Sequence, residues 1–199
     1  MTHPIPYPIG TPGQPWGEAE RDEWRARQTR HRRYDQLVLP RIAALADRFE
    51  RTLYGELRYG DDAYPLYALA SRPWDPALPA ALITGGVHGY ETSGVMGALE
   101  FLETRARAYA GRINLLVAPC VSPWAFERIN RWNHDAVDPN RNFREGGPGE
   151  ATALMALVAS RLDKVLLHID LHETTDSDES EFRPALAARE GKAFEPDLV

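Results

Sequence analysis

Hydrophobic positions along the chain change period several times, and each change marks an element. Ile42, Leu45, Ala46 and Phe49 recur at i, i+3, i+4 and i+7, one buried helical stripe. They close a helical region expected over residues 18–49 and interrupted near Pro40, because proline removes a helix donor. Residues 51–59 and 64–71 read as strands of a hairpin around the turn Gly60-Asp61-Asp62. The run Ala80-Ala81-Leu82-Ile83 reads as a buried strand ending at Gly85-Gly86. Val95, Leu99, Leu102 and Ala106 then share one side of a helix over residues 92–109. Residues 113–118 form another buried strand, 151–162 a helix and 165–171 the last clear strand.

Two stretches carry no such pattern. Residues 1–17 hold five prolines (Pro4, Pro6, Pro8, Pro12, Pro15) and read as an extended lead. Residues 120–149 read as a long polar loop, a length that in a compact domain is usually functional. The tail after Thr174 holds no strand signal. Strand, helix, strand, loop, helix, strand predicts an α/β domain with a mixed, largely parallel sheet flanked by helices. Residues 1–50 are expected to form an extension with helices that pack on a domain spanning 51–199.

Composition narrows the function classes. A formal charge of −6 argues against a nucleic-acid partner, which calls for a basic excess. The arginines of residues 21–33 are interleaved at their start with acids and read as a solvated helix face. The lone Cys120 excludes an intrachain disulfide and a thiolate zinc site. No secretory or membrane-spanning run is visible, so no membrane partner and a cytoplasmic address are expected.

The candidate chemistry gathers where strands end. In open α/β sheets, sites form beyond the carboxyl ends of the strands. His88 and Glu91 follow one strand directly, and His172 ends another. His88-Gly89-Tyr90-Glu91 is a His-x-x-Glu pair, either a grip on one ion from a helix face or an ordinary surface pair. Two histidines and one carboxylate would leave a fourth position on zinc, the layout of a catalytic site. His168, Asp170 and His172 alternate onto one side of their strand, and the deeper His168 reads as a core histidine in preference to a group that supports a ligand. Asp138-Pro139-Asn140-Arg141-Asn142-Phe143 reads either as an Asp-Pro turn or as an amide and guanidinium holding a carboxylate.

Taken in order, residues 85–91, 138–143 and 170–173 resemble the zinc carboxypeptidase superfamily, across residues 54–181. That superfamily includes carboxypeptidase A-like peptidases and succinylglutamate desuccinylase/aspartoacylase enzymes. The resemblance implies the phosphorylase/hydrolase-like fold of that superfamily and one zinc per chain, held by His88, Glu91 and His172. It implies that Asp138 orients the first histidine and that Asn140 and Arg141 hold a substrate carboxylate. Arg131, with Arg128 as the alternative, would polarise the scissile carbonyl. The implied substrate is a peptide or N-acyl amino acid with a free carboxylate, cleaved by a metallocarboxypeptidase or by a deacylase.

One part of the resemblance is missing. The family's general-base glutamate comes from a late strand, whereas only 27 residues follow His172. Glu173 would point to the opposite face from its ligand neighbour, and Glu179, Glu181, Glu190 and Glu195 lie in no expected strand. No tyrosine follows Tyr109 to cap a substrate. The expectation is therefore a fold incomplete at its C-terminus, with an exposed sheet edge. A zinc-binding but non-catalytic module is the third reading.

Overall fold

The structure, a computed structural model, describes residues 7–173 and 178–194. The chain forms two units, Arg30–Glu173 and a smaller one made of Met1–Thr29 with Thr174–Val199. Helix α1 (Glu18–Ala26) belongs to the smaller unit. Helices α2 (Tyr34–Leu37) and α3 (Leu39–Ala44) open the larger one. The helical region expected up to residue 49 is thus three short helices, and its expected interruption near Pro40 falls at Val38, between α2 and α3. Pro40 sits in the first turn of α3, where a helix needs no N–H from it. A longer interruption falls at residues 27–33, where Arg30 and Arg32 reach outward to other elements.

Strands β1 (Phe49–Tyr59) and β2 (Asp62–Ser71) form the expected antiparallel hairpin. β3 (Ala80–Gly85) leads into α4 (Thr92–Thr104), and β4 (Asn114–Ala118) follows. The segment expected as a polar loop contains α5 (Pro123–Arg128), and Val121, Trp124, Ala125, Phe126, Trp132 and Ala136 are buried along it. Its polar composition hid aromatic anchors that pull the segment into the core. Helix α6 (Gly149–Ala159) and β5 (Val165–Leu171) complete the larger unit.

The sheet runs β1-β2-β4-β3-β5. Its β1/β2 and β2/β4 ladders are antiparallel, while β3 pairs in parallel with both β4 and β5. The fold is therefore a mixed α/β sheet flanked by helices, with the parallel half carrying the candidate chemistry. On one face α4 packs Val95, Ala98, Leu99 and Leu102 inward. On the other, Leu157 and Val158 of α6 pack against Ala68, Ala70, Leu82 and Leu116. Burying one such leucine contributes about 2 kcal/mol.

A buried carboxylate ties the start of this unit to α5. Glu127 accepts from the Tyr34 backbone N–H (2.9 Å) and the Tyr64 hydroxyl (2.9 Å), and pairs with Arg30 Nε at 2.7 Å. The opposite end of the sheet is less well covered. Strand β5 lies at the edge, and Leu166, Leu167 and Ile169 are 76%, 48% and 40% exposed.

In the smaller unit, a turn over Asp178–Phe182 leads into α7 (Arg183–Arg189). Trp16 N–H bonds the Arg189 carbonyl at 2.9 Å, and Pro15 bridges Glu190. Among the described residues no helix is long and apolar enough to cross a membrane.

Candidate metal centre

The turn after β3 is built to bring backbone close to backbone. Gly86 adopts φ +63°, a conformation that glycine takes without penalty. The Gly85 and Gly86 carbonyls accept from the N–H groups of Val121 and Ser122 at 3.0 and 2.9 Å. Gly89 lies flat against α5, where an added Cβ would come within 2.0 Å of the Ala125 carbonyl carbon. His88 and Glu91 both precede the helix, and Glu91 is the N-cap residue of α4. The pair is thus presented by a turn, closed by Glu91 N–H to the His88 carbonyl at 3.3 Å, rather than by a helix face.

Three side chains converge above the carboxyl ends of β3 and β5. Glu91 Oε1 lies 2.9 Å from His88 Nδ1, and Glu91 Oε2 lies 2.7 Å from His172 Nδ1. One donor atom from each residue falls within 4.8 Å of the others. The far nitrogen of each imidazole rests on a carboxylate. His88 Nε2 meets Asp138 Oδ1 at 3.0 Å, and His172 Nε2 meets Asp170 Oδ2 at 2.7 Å. Such contacts fix the tautomer and turn the facing nitrogen towards a cation. A buried carboxylate between two imidazoles so oriented is the donor set of a zinc site that keeps an open position. The residues present fit the metal.

Electrostatics around the first histidine are polarised. Burial works against a charged His88 ring, but bonds to Asp138 and Glu91 outweigh it and hold its pKa above the ordinary value. Burial likewise opposes a charged Asp138, yet His88 and Arg131 bring its pKa down to about 2. Asp138 is saturated with donors: Oδ1 also accepts Asn140 N–H at 2.9 Å, and Oδ2 accepts Arg131 Nε at 3.0 Å.

The other candidates from the sequence are placed as follows. Arg131 joins the cluster through Asp138 and donates to the Tyr90 hydroxyl at 3.0 Å. Arg128 faces elsewhere, 4.3 Å over the Trp124 ring and bonded to the Tyr64 hydroxyl at 3.3 Å. Asn140 Nδ2 comes within 3.4 Å of His172 Nε2, and Arg141 is exposed. His168 shares Thr84 Oγ1 (2.9 Å) with Asp170 (2.7 Å), so it supports the residue that holds His172. Glu173 caps α4, accepting from the Ser93 N–H and hydroxyl at 2.9 Å each. Glu181 and Glu190 belong to the smaller unit, and Glu179 and Glu195 lie outside the residues whose side chains are described.

Asp170, to which the sequence assigns no role, is the carboxylate that backs His172. Its alternation with His172 along β5 was the available signal. Tyr90 gave no signal, because its contact with Arg131 depends on the turn geometry.

Comparison with known proteins follows the same lines. Residues 77–193 match the model of the succinylglutamate desuccinylase/aspartoacylase catalytic domain. No curated protein matches the chain. Among solved structures, a candidate metallopeptidase from Shewanella denitrificans is 27% identical, with a TM-score of 0.59 over 68% of this chain and 51% of its own. Another from Shewanella baltica is 27% identical, with a TM-score of 0.59 over 73% of this chain and 56% of its own. A metallo-carboxypeptidase from Pseudomonas aeruginosa, 18% identical over 68% of this chain and 38% of its own, shares the fold with a TM-score of 0.52. The chain spans about half the length of the first two. It belongs to the succinylglutamate desuccinylase/aspartoacylase family, within the zinc carboxypeptidase superfamily.

Proposed function

We propose that this chain carries the metal-binding and carboxylate-binding portion of a zinc-dependent hydrolase. The bond cleaved is an amide next to a free carboxylate. The observation that carries the reading is the Glu91 carboxylate held between two Nδ1 atoms, each ring backed by an aspartate. His88, Glu91 and His172 would hold the ion. Zinc there supplies, when bound, polarisation of a carbonyl and a water acidified to a pKa of about 7.

The chain's own residues supply the rest of the geometry. Asp138 and Asp170 hold the Nε2 of each imidazole, so that each Nδ1 faces Glu91 and would be free to ligate an ion. Arg141, exposed beside Asn140, offers a fork to the substrate carboxylate. Arg131 stands one residue behind His88, through Asp138, and stabilises negative charge there. The general base is not assigned among the described residues, because Glu173 already serves as the cap of α4.

A metallocarboxypeptidase is the first reading of the substrate, supported by the folds of its structural relatives. The match to the desuccinylase/aspartoacylase catalytic domain supports a second, an N-acyl amino acid deacylase. The test is the zinc content of wild type beside His88→Ala and His172→Ala. One zinc per chain, lost in both variants, is expected. Folded wild-type protein that takes up no zinc sinks the reading. Hydrolysis of an N-acyl dipeptide against an N-acyl amino acid then separates the two substrates.

A further inference from the structure

Arg32 lies outside every motif, in the segment between α1 and α2. Its guanidinium nevertheless grips the turn that carries two of the three candidate ligands. Nε donates to the Phe126 carbonyl at 2.6 Å. One terminal nitrogen donates to Thr92 Oγ1 at 2.7 Å, and the other donates to the Gly89 carbonyl at 2.8 Å. The guanidinium carbon lies 3.6 Å from the centroid of the Phe126 ring.

Gly89 stands between His88 and Glu91, and Thr92 follows Glu91 as the first residue of α4. The three donors therefore hold the middle of the ligand turn, its exit into the helix, and α5 behind it. Arg32 is itself pinned, since the backbone N–H groups of His31 and Arg32 bond the Glu127 carbonyl at 2.8 and 3.2 Å. Gly89 cannot retreat towards α5, because the two backbones are already in contact. Close packing against α5 and a charged fork that bonds both α5 and the turn tie the two together.

The partners of this fork are two carbonyls and a hydroxyl, not a carboxylate. Burial pulls the guanidinium down from its ordinary value, so the half-buried cation is held at a cost. A guanidinium suits this role because its rigid, planar donors can meet acceptors on separate segments at once. An ammonium would reach only a subset of them in one geometry.

We propose that Arg32 is a positioning residue for the metal centre: by fixing Gly89 and Thr92 it sets His88 and Glu91 on a common point. The proposal rests on the metal reading above. It concerns how the site is held, since Arg32 touches neither the ion nor the substrate.

The test is zinc affinity, measured by competition with a chelating dye, in the whole chain. It is paired with the visible absorption of the Co2+-substituted protein, which reports ligand geometry. Arg32→Gln is expected to weaken zinc binding about 10-fold or more, the size of effect usual for residues that orient ligands. It should also shift the Co2+ bands, while Arg32→Lys falls between it and wild type.

Arg41→Gln is the control for general destabilisation. Arg41 holds Glu103 near the far end of α4 through two 2.7 Å bonds. Its loss should lower the midpoint of thermal unfolding without changing zinc affinity or the Co2+ spectrum. Should Arg32→Gln fail to fold, Arg32→Lys and Thr92→Val carry the same test at lower cost.

Zinc affinity and Co2+ bands unchanged in the folded Arg32 variants would overturn the proposal and leave the metal reading standing. Equal loss in Arg32→Gln and Arg41→Gln would overturn it too, by showing an effect of stability alone. Wild-type protein that binds no zinc would remove the metal reading and this proposal with it.

Discussion

The two halves of the candidate centre are built on different foundations. His88 and Glu91, each 2% exposed, stand at the end of a strand that is buried along its whole length. Around them, Gly89 abuts α5, Asp138 takes three donors, and Arg32 clamps the turn. His172 stands at the end of β5, and its side chain is 34% exposed. Cavities of about 450 and 410 Å3 lie along the two faces of β5, both lined largely by apolar side chains. Both halves put an aspartate behind the imidazole, so the chemistry is matched while the support is not. The buried half is held by its own packing and hydrogen bonds. The edge half depends on the ladder from β5 to β3.

The largest test of this contrast is in packing. Leu116 is 1% exposed between the hairpin and β3, whereas Leu166 is 76% exposed on β5. Leu116→Ala is expected to cost about 3 kcal/mol of stability, as buried leucine truncations do. Leu166→Ala should stay within about 0.5 kcal/mol of wild type. Chemical denaturation of both variants measures the difference. A comparable cost for Leu166→Ala would mean that β5 is covered in solution and would break the contrast.

A smaller effect is expected in the aspartates. Asp138→Asn removes the charge that holds both His88 and Arg131 in the largely buried half of the site. It should weaken zinc affinity about 10- to 100-fold. Asp170 is 23% exposed and holds a histidine that water can reach, so Asp170→Asn should lie at about 10-fold or below. Competition titration of the two variants decides. Equal losses would show that the edge half is as tightly organised as the buried one.

The sequence carried much of this, unevenly. Strands of the sheet were legible because short apolar runs such as residues 80–83 have few alternatives once flanked by glycine. His88, Glu91 and His172 were legible because residue type and strand ends coincide. The interior of residues 120–149 was not, since Trp124, Phe126 and Trp132 are spaced without a period and bury through tertiary contacts. Arg32 was read as part of a solvated arginine stretch. Nothing local separates it from Arg33, which is exposed and pairs with Asp35. Its role arises from the Gly89 and Phe126 carbonyls, which only the fold brings to it. Asp170 needed only the period of a strand, and the clue was present.

The smallest expected effect concerns two glutamates, one behind each half, and their predicted signs are opposite. Glu150, in the first turn of α6, is 1% exposed, and its Oε2 has no hydrogen-bond partner among the described residues. Burial raises its pKa above the ordinary 4.5. A carboxyl so raised favours the folded state fully below 4.5, and that contribution is lost as pH rises through the shifted value. Glu150→Gln keeps the shape of the neutral form and does not titrate. Its thermal midpoint should match wild type at pH 4 and exceed it at pH 7. Glu173 instead caps α4 through Ser93, at a helix end where negative charge is favourable. Glu173→Gln should therefore lower the midpoint at pH 7, by the equivalent of about 0.5 kcal/mol. Scans of both variants at the two pH values check the signs. A fall for Glu150→Gln at pH 7 would show that the buried half keeps this charge stabilised, and its advantage would then lie in its ion network as well as its packing.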